Sequence, residues 1–600
     1  MKHTSIYILA AAALIGFSSC DAINDKLDKY PLDTVSPGSY FMDATQLQTY
    51  LNTCYPAVFA QNTYDAENDL YFKKTLGSLQ RGGTMRRVPS SGGGWDFSGL
   101  RHINTLFTYI DNCQDVADKT EYTALARFFR GYWYFLKVRD FGDMPWIDKE
   151  LFSDDDALYA PRDSRETVMD NVIADLDYAI EHLSGTVSSS YRVNRWTVLA
   201  LKSRICLFEG TWRKYHADDD YATSGKHDSA YYLRLSAEAA KEFIDNAPYK
   251  LYETGTPELD YRQLFAFQTA NPDEIILARN YSLTVSMSHF ASWSTCEQNS
   301  FAINKKLVDC YLMKDGSRFT DKASWNTMEF YDEMQDRDPR LAQTMRTPGY
   351  KRFDSELVRV PQLSSSLSGY QSVKYDQGVS YCPDTWTATD ADLPILRVAE
   401  VLLNYAEAKA ECGELTQEDL NISINKLRER VGMPALDMAE ANANPDDNYL
   451  GNPSYGYRNV NGDNRGVILE IRRERMVELA QEGDFRWYDL MRWKEGKCLE
   501  QPYLGMYFPG PGEYDFDKDG SIDLCIYEGT KPETTALESY KLGSEVYLSN
   551  GTSGNLNYIE AKKISHVFDE GRDYLYPIPT GEMALNNTLE QNPGWTTIKK

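Results

Sequence analysis

The chain has 600 residues, 42% of them hydrophobic and 25% charged, an ordinary balance for a protein with a large buried core. Its formal charge of −26 argues against nucleic acid or an anionic membrane surface as partner, because both reward Lys and Arg. The aromatic share is high: 42 Tyr, 24 Phe and 11 Trp make 13% of the chain, and rings that also hydrogen-bond suit a surface for polar ligands.

Lys2 and His3 precede an apolar run from Ile6 to Phe17, too short to span a bilayer as a stable helix. Ser18 and Ser19 then lead to Cys20. This reads as a lipoprotein signal over 1–19, with cleavage before Cys20 and acylation of its thiol. The alternative is an ordinary secretion signal, with Cys20 removed or left free. A polar tether follows over 20–37. No other stretch approaches eighteen apolar residues, so the acyl group is the only membrane attachment expected. The remaining cysteines are scattered, without a CxxC pair, and several sit in helical stripes where Cys behaves as a small hydrophobe.

From residue 38 the chain reads as helix after helix. Asp43 to Phe59, Leu100 to Ala117, Glu121 to Asp140, Ser164 to Leu183, Asn194 to Trp212 and Ser229 to Asn246 all carry helical periodicity. Several come as pairs whose second member mixes small and aromatic residues, such as Ala126, Phe129, Trp133 and Leu136. That pattern predicts a mostly α fold of tetratricopeptide-like helical hairpins, each needing its neighbour to bury its face. The segments 64–99, 248–390 and 501–560 have no sustained periodicity. Loops this long are uncommon unless functional or disordered, and the aromatics spread through them favour function. They are expected to pack on the scaffold, so that 38–600 forms one domain.

Asp392 to Trp493 is the most ordered stretch. Val398, Val401, Leu402, Tyr405, Ala408 and Cys412 form one helical stripe closed by Gly413. A second helix starts at Thr416 as N-cap, with Leu420, Ile424, Leu427 and Val431 as its stripe, and stops at Gly432 and Pro434. A third, Val467 to Gln481, places Glu474, Glu478 and Glu482 on one face, where like charges repel by roughly 0.2–0.5 kcal/mol per pair. Arg486 and Arg492 follow among aromatics. The pattern reads as a half-buried ion network clamping two helices under Trp487 and Trp493. Paired carboxylates also serve as general acid and base, but nearby guanidiniums hold carboxylates ionised.

Asp515-Phe516-Asp517-Lys518-Asp519-Gly520-Ser521-Ile522-Asp523 matches the first nine positions of an EF-hand-like calcium loop. Asp515, Asp517 and Asp519 fall at alternate positions, Gly520 supplies the bend, and Ser521 and Asp523 complete the candidate ligands. Position 12 is Ile526 where a bidentate Glu belongs, so Glu528 or a distant residue must complete the shell. The expected role of the ion is structural. The alternative is an Asp- and Gly-rich turn before a strand in which Ile522, Leu524 and Ile526 alternate inward.

Catalytic signatures are missing: there is no G-x-S-x-G elbow, GxGxxG, P-loop or HExxH, and no histidines at zinc spacing. His102 alone lies near a plausible site, and a packed or capping role suits it better.

The run Glu474-Arg475, Glu478-Leu479, Glu482-Gly483, Arg486-Trp487, Asp489-Leu490, Arg492-Trp493 resembles the signature of the RagB/SusD family, surface lipoproteins of Bacteroidetes-type bacteria that capture nutrients. Two further pieces resemble it in the family's order. One is Asp573-Tyr574-Leu575-Tyr576-Pro577-Ile578-Pro579 with Gln591-Asn592-Pro593-Gly594-Trp595. The other is Arg130-Gly131-Tyr132-Trp133-Tyr134 leading to Phe141-Gly142-Asp143-Met144-Pro145. The resemblance implies about four helix pairs, the last formed by Asp392 to Val431, with an N-terminal part at about 38–247 and a C-terminal part at about 248–600. It implies a non-catalytic binder of a glycan or oligosaccharide, held at the outer membrane facing the exterior, a placement that Asp21, Asp25 and Asp28 after the cysteine fit. It also implies a SusC-type TonB-dependent transporter as partner. Ligand contacts are implied on the loop before the Leu100 helix and on loops ahead of Asp392, which here carry Arg81, Trp95, Asp96, Trp293, Tyr381 and Trp386. Trp95, flanked by glycines, has few sequence neighbours to pack on. The competing readings are a secreted carbohydrate-active hydrolase and a binder of peptides or other nutrients.

Overall fold

The apolar stripes become long helices with polar stops at both ends. In the computed structural model, which describes residues 40–59, 67–298, 301–383 and 388–595, the principal helices are α1 (Ala44–Asn52), α2 (Ser98–Tyr109), α3 (Val116–Phe141), α4 (Arg165–His182), α5 (Arg195–Tyr215) and α6 (Ser229–Asn246). After the long loops come α7 (Val398–Glu411), α8 (Ile424–Arg430), α9 (Arg465–Glu478) and α10 (Phe485–Arg492). The signal over 1–19, Cys20, the tether over 20–37 and Trp386 lie outside the described residues. Asp115 caps α3 by accepting from the Asp118 N–H, and Asn194 with Thr197 forms a capping box on α5. Among the described residues, no helix is long and apolar enough to cross a membrane.

Neighbouring helices pack as antiparallel hairpins, α3 on α4 and α5 on α6, and α7 then packs on α6 and α9. Charges seal the hairpins from inside. Arg130 on α3 grips Asp175 on α4 through two bonds of 2.7 and 2.8 Å, and Glu209 on α5 accepts from both Arg165 and Arg213. The expected second helix of the Asp392 stretch is broken. It forms as Gln417–Asn421 and then α8, because Ser423 leaves helical geometry (φ −130°, ψ −93°).

Strands are few and short. Tyr71–Phe72 (β1) pairs with Ala302–Ile303 (β3), and Ile275–Arg279 (β2) pairs antiparallel with Leu393–Arg397 (β4), which runs straight into α7. Tyr507–Phe508 (β5) pairs with Gly554–Asn555 (β9), while Gly512–Tyr514 (β6), Leu524–Tyr527 (β7) and Glu538–Lys541 (β8) make a three-stranded sheet. The main apolar core runs from Phe41 to Leu589 and draws side chains from both halves of the chain. Its last contributors return to the beginning. Tyr576 N–H donates to Asp140 C=O, Asn592 Nδ2 to Phe141 C=O, and the Arg86 guanidinium lies 5.4 Å from the Trp595 ring.

The ion network is larger and drier than expected. Glu474, Glu478 and Glu482 are buried, not half-buried, and Arg486 and Arg492 are not their partners. Arg486 pairs with Asp69, and Arg492 with Glu407 and Asp489. The three glutamates are instead met by Arg340, Arg397, Arg428, Arg430 and Lys374, reaching in from the short helix Pro339–Thr344, β4, α8 and the loop at Lys374. Asp338 and Glu274 complete a set of five carboxylates facing five cations. Burial alone would raise the glutamate pKa values, but the guanidiniums outweigh it and hold all three below the usual range. Carboxylates fixed in this way are not an acid–base pair. Trp493 is fully buried and donates its Nε1–H to Glu407, so its partner belongs to the Arg492 pair and not to the three-glutamate face.

Candidate functional site

The glycine run before Trp95 turns the chain sharply. Gly92, Gly93 and Gly94 all have positive φ, and at Gly94 (φ +87°) a Cβ would press on the Phe141 ring at 3.4 Å. The turn delivers Trp95 edge-on against Phe97 (5.5 Å) and Phe141 (5.1 Å), leaving it only 7% exposed. Trp95 therefore has ample packing, from a residue distant in sequence, contrary to the expectation from its glycine neighbours. Asp96 stays exposed and accepts from the Ser98 N–H and Oγ, which keeps its carboxyl below the usual range and opens α2.

Trp95 and Asp96 share the wall of a cavity of about 580 Å³ between the start of α2, the 145–160 loop and the C-terminal helix Thr580–Leu585. Its rim carries the exposed Tyr159, Leu158 and Leu585, and its polar edges include Arg101, Lys149 and Asn586. Sequence reasoning missed Tyr159 and Arg101. The only signal was an aromatic stranded beside an acidic loop, and Arg101 looks like any helix-surface cation.

The other expected contacts lie elsewhere. Arg81, Trp293 and Tyr381 do not line the Trp95 cavity. Arg81 ends a short helix whose carbonyl accepts from the Val567 N–H, and the next residue must be glycine because a Cβ on Gly82 would meet Val567 O at 1.6 Å. Trp293 opens a π-helical turn, Trp293–Glu297, and is half-buried, while Tyr381 is 59% exposed. Their loops are tied together where His289 and Thr389 exchange backbone hydrogen bonds. His102 is packed as anticipated, stacked 4.3 Å from Tyr50, with burial lowering its pKa.

The aspartate loop links β6 to β7. One carboxylate oxygen each from Asp515, Asp517 and Asp523 comes within 4.8 Å of the others. Asp519 instead accepts from the Ser521 N–H and stays exposed, and it stands outside this carboxylate cluster. Gly520 (φ +92°) makes the bend, and its N–H donates to Asp515. Burial and the neighbouring aspartates push Asp523 up to about 6, and Asp515 Oδ1 is buried without a hydrogen-bond donor. Lys518 turns away to Asp332. An all-oxygen donor set of this kind suits a hard cation. The strand that follows does not alternate: Leu524, Cys525 and Ile526 are all buried. Glu166, Asp170 and His227 also converge, but Arg213 and Lys226 already neutralise them.

Comparison with known proteins agrees with this architecture. Residues 273–595 match a family model described as the SusD family, and residues 96–207 match one described as starch-binding associating with outer membrane. SusD-like protein P2 of Formosa agariphila is 23% identical over 624 residues, covering 99% of this chain and 100% of the relative. A SusD-like protein of Bacteroides ovatus is 22% identical over 509 residues, covering 82% of this chain and 78% of the relative. Among solved structures, a SusD-like protein from Bacteroides fragilis superposes with a TM-score of 0.65 at 20% identity, covering 94% of this chain and 100% of its own. A SusD-like carbohydrate binding protein from the same species gives 0.63 at 17% identity, covering 92% and 99%. These likenesses show the fold. The family model takes in more than half of the chain, and the protein belongs to the SusD family.

Proposed function

We propose that this protein is a non-catalytic glycan-binding lipoprotein of the outer membrane, anchored through Cys20 and facing outward, which captures an oligosaccharide and passes it to a SusC-type TonB-dependent transporter. The observation that carries the reading is the Trp95 cavity. Its volume of about 580 Å³ falls in the range of small-ligand sites, about 300–1,000 Å³. Aromatic and aliphatic walls meet the C–H faces of sugars, while Asp96, Arg101 and Lys149 at the edges meet their hydroxyls. Arg81, Trp293 and Tyr381, outside that cavity, and Trp386 stay further proposed ligand contacts. One family model described as starch-binding and one relative titled a carbohydrate binding protein support the class of ligand.

Native gels cast with soluble starch and a panel of plant and microbial polysaccharides test this. The wild-type protein is expected to be retarded without releasing reducing ends, and Tyr159→Ala with Arg101→Ala is expected to weaken retention. Release of oligosaccharide at a useful rate would overturn the binding reading in favour of a hydrolase. Co-purification with a barrel from detergent-solubilised outer membranes tests the partner, and a lone monomer at every salt and detergent condition would count against it. The same reading includes a structural Ca²⁺ held by Asp515, Asp517 and Asp523, pinning the β6–β7 loop, with the Ser521 carbonyl as a further candidate donor and Asp519 able to join only if its side chain turns inward.

A further inference from the structure

A second cleft, of about 380 Å³, lies far along the chain from Trp95, between the loop at Leu363–Leu367 and the segment from Tyr540 to Lys562. Three half-buried tyrosines line it: Tyr540 on β8, Tyr547 and Tyr558. The Tyr547 and Tyr558 rings stand 6.2 Å apart at 70°, an edge-to-face pair on the cleft wall. Lys562 lies 4.6 Å from the Tyr547 ring centre, and Lys74 lies 5.7 Å from that of Tyr558.

The two lysines are unusual in a chain carrying 89 acidic and 63 basic side chains. Among the described residues, neither reaches a carboxylate within ion-pair distance, although acids are nearby. Those acids are already engaged by backbone amides. Glu545, on the cleft wall, accepts from the Lys541 N–H, and Glu538 accepts from the Leu363 and Ser364 N–H groups. Tyr547 spends its hydroxyl proton on the Ser544 carbonyl. The cleft thus presents, among the described residues, two lysines outside any ion pair beside tyrosine rings, with Glu545 the one carboxylate on its wall.

We infer that this cleft is a subsite for an anionic pyranose, a uronate or a sulfated sugar, carried by the bound glycan. The tyrosine rings take the sugar's C–H surface, and Lys74 and Lys562 pair with the acid group. A neutral sugar offers the two ammonium groups no counter-charge. The inference rests on the glycan-binding reading and adds to it the charge of the ligand and a second point of attachment, which raises avidity for a long chain without any new contact at Trp95.

Native gels cast with polygalacturonate, alginate, carrageenan, soluble starch or xylan test it on the full-length protein. The wild type is expected to be retarded by at least one anionic polymer, and the carboxylate and sulfate arms tell the two sources apart. Lys74→Ala with Lys562→Ala should weaken that retention at least tenfold in dissociation constant. Lys74→Arg with Lys562→Arg should retain it, and raised salt should weaken it. Both lysines are exposed, so the variants are expected to keep the wild-type circular dichroism spectrum and Tm. Retention confined to starch or xylan, or an alanine pair that runs like the wild type on the anionic polymers, would overturn the inference and leave the glycan reading standing. A wild type retained by none of the five would take down both.

Discussion

Glu478 is the test of the buried network. Its two oxygens accept from Arg340 at 3.2 Å, Arg397 at 2.8 Å and Arg430 at 2.7 and 2.8 Å, with both Glu478 and Arg430 fully shielded from water. Glu478→Gln keeps the shape but removes the charge, turns an N–H₂ toward guanidiniums and leaves five cations facing four carboxylates. Breaking a buried pair by removing one partner costs about 3–5 kcal/mol, because the orphaned charge has no water to turn to. Urea unfolding followed by tryptophan fluorescence should show a loss of that size, and 1 M salt should change it little, since buried pairs are weakly screened. Adding Arg430→Met to the variant rebalances the charge and should recover part of the loss, giving a coupling energy of opposite sign to the single effects. A Glu478→Gln cost below about 1 kcal/mol, or a double variant no better than the sum of the singles, would refute the view that the glutamate face is an ionic clamp.

Trp95→Ala is expected to cost about 3–5 kcal/mol in stability, because the ring is core as well as cavity wall. Glycan retention is therefore better read on Tyr159→Ala, which should leave the melting curve within about 0.5 kcal/mol of wild type. Removing Ca²⁺ with EDTA should lower the Tm, and Asp517→Ala should abolish that sensitivity; an unchanged curve in both leaves the Asp515–Asp523 loop as a plain turn. Acid stability follows from Glu407. Burial would raise its pKa, but Arg492, Arg475 and Arg472 pull it down to about 2 from the ordinary 4.5. A depressed carboxylate stabilises fully above its unfolded value, and that stabilisation drains away as pH falls toward the folded one. Glu407's share of the Tm should thus hold steady above about pH 4.5 and drain away between there and about pH 2, giving a shallower acid fall in Glu407→Gln.

The helices were legible because their apolar period and caps are local. Ser229–Asn246 forms over the span its stripe predicts, and Arg165–His182 differs only by its caps. The break at Ser423 was not legible, since Leu420, Ile424 and Leu427 keep an unbroken helical rhythm across it. Partner choice in the ion network was equally hidden. The spacing of Glu474, Glu478 and Glu482 announced a charged face, but the cations that meet it come from residues 340, 374, 397, 428 and 430. At the candidate site, residue type pointed to Trp95 and Asp96, whereas the cavity they share depends on loop 145–160 and the C-terminal helix. The tyrosine cleft carried no sequence signal, because Lys74 lies hundreds of positions before the rings it faces.

The return of residues 567–595 to the start of the fold has a consequence for how the molecule is made. A chain that emerges N-terminus first reaches Phe141 long before Asn592 and Tyr576 exist to answer the carbonyls at 140 and 141. Arg86 likewise waits for Asp573 and Trp595. The first hairpins are therefore held unfinished, with aromatic surface uncovered, until the final segment arrives. Such surface is prone to aggregation and calls for protection by a chaperone until then. A stop codon near residue 560 would accordingly yield an unfinished protein prone to proteolysis, not a shortened binder.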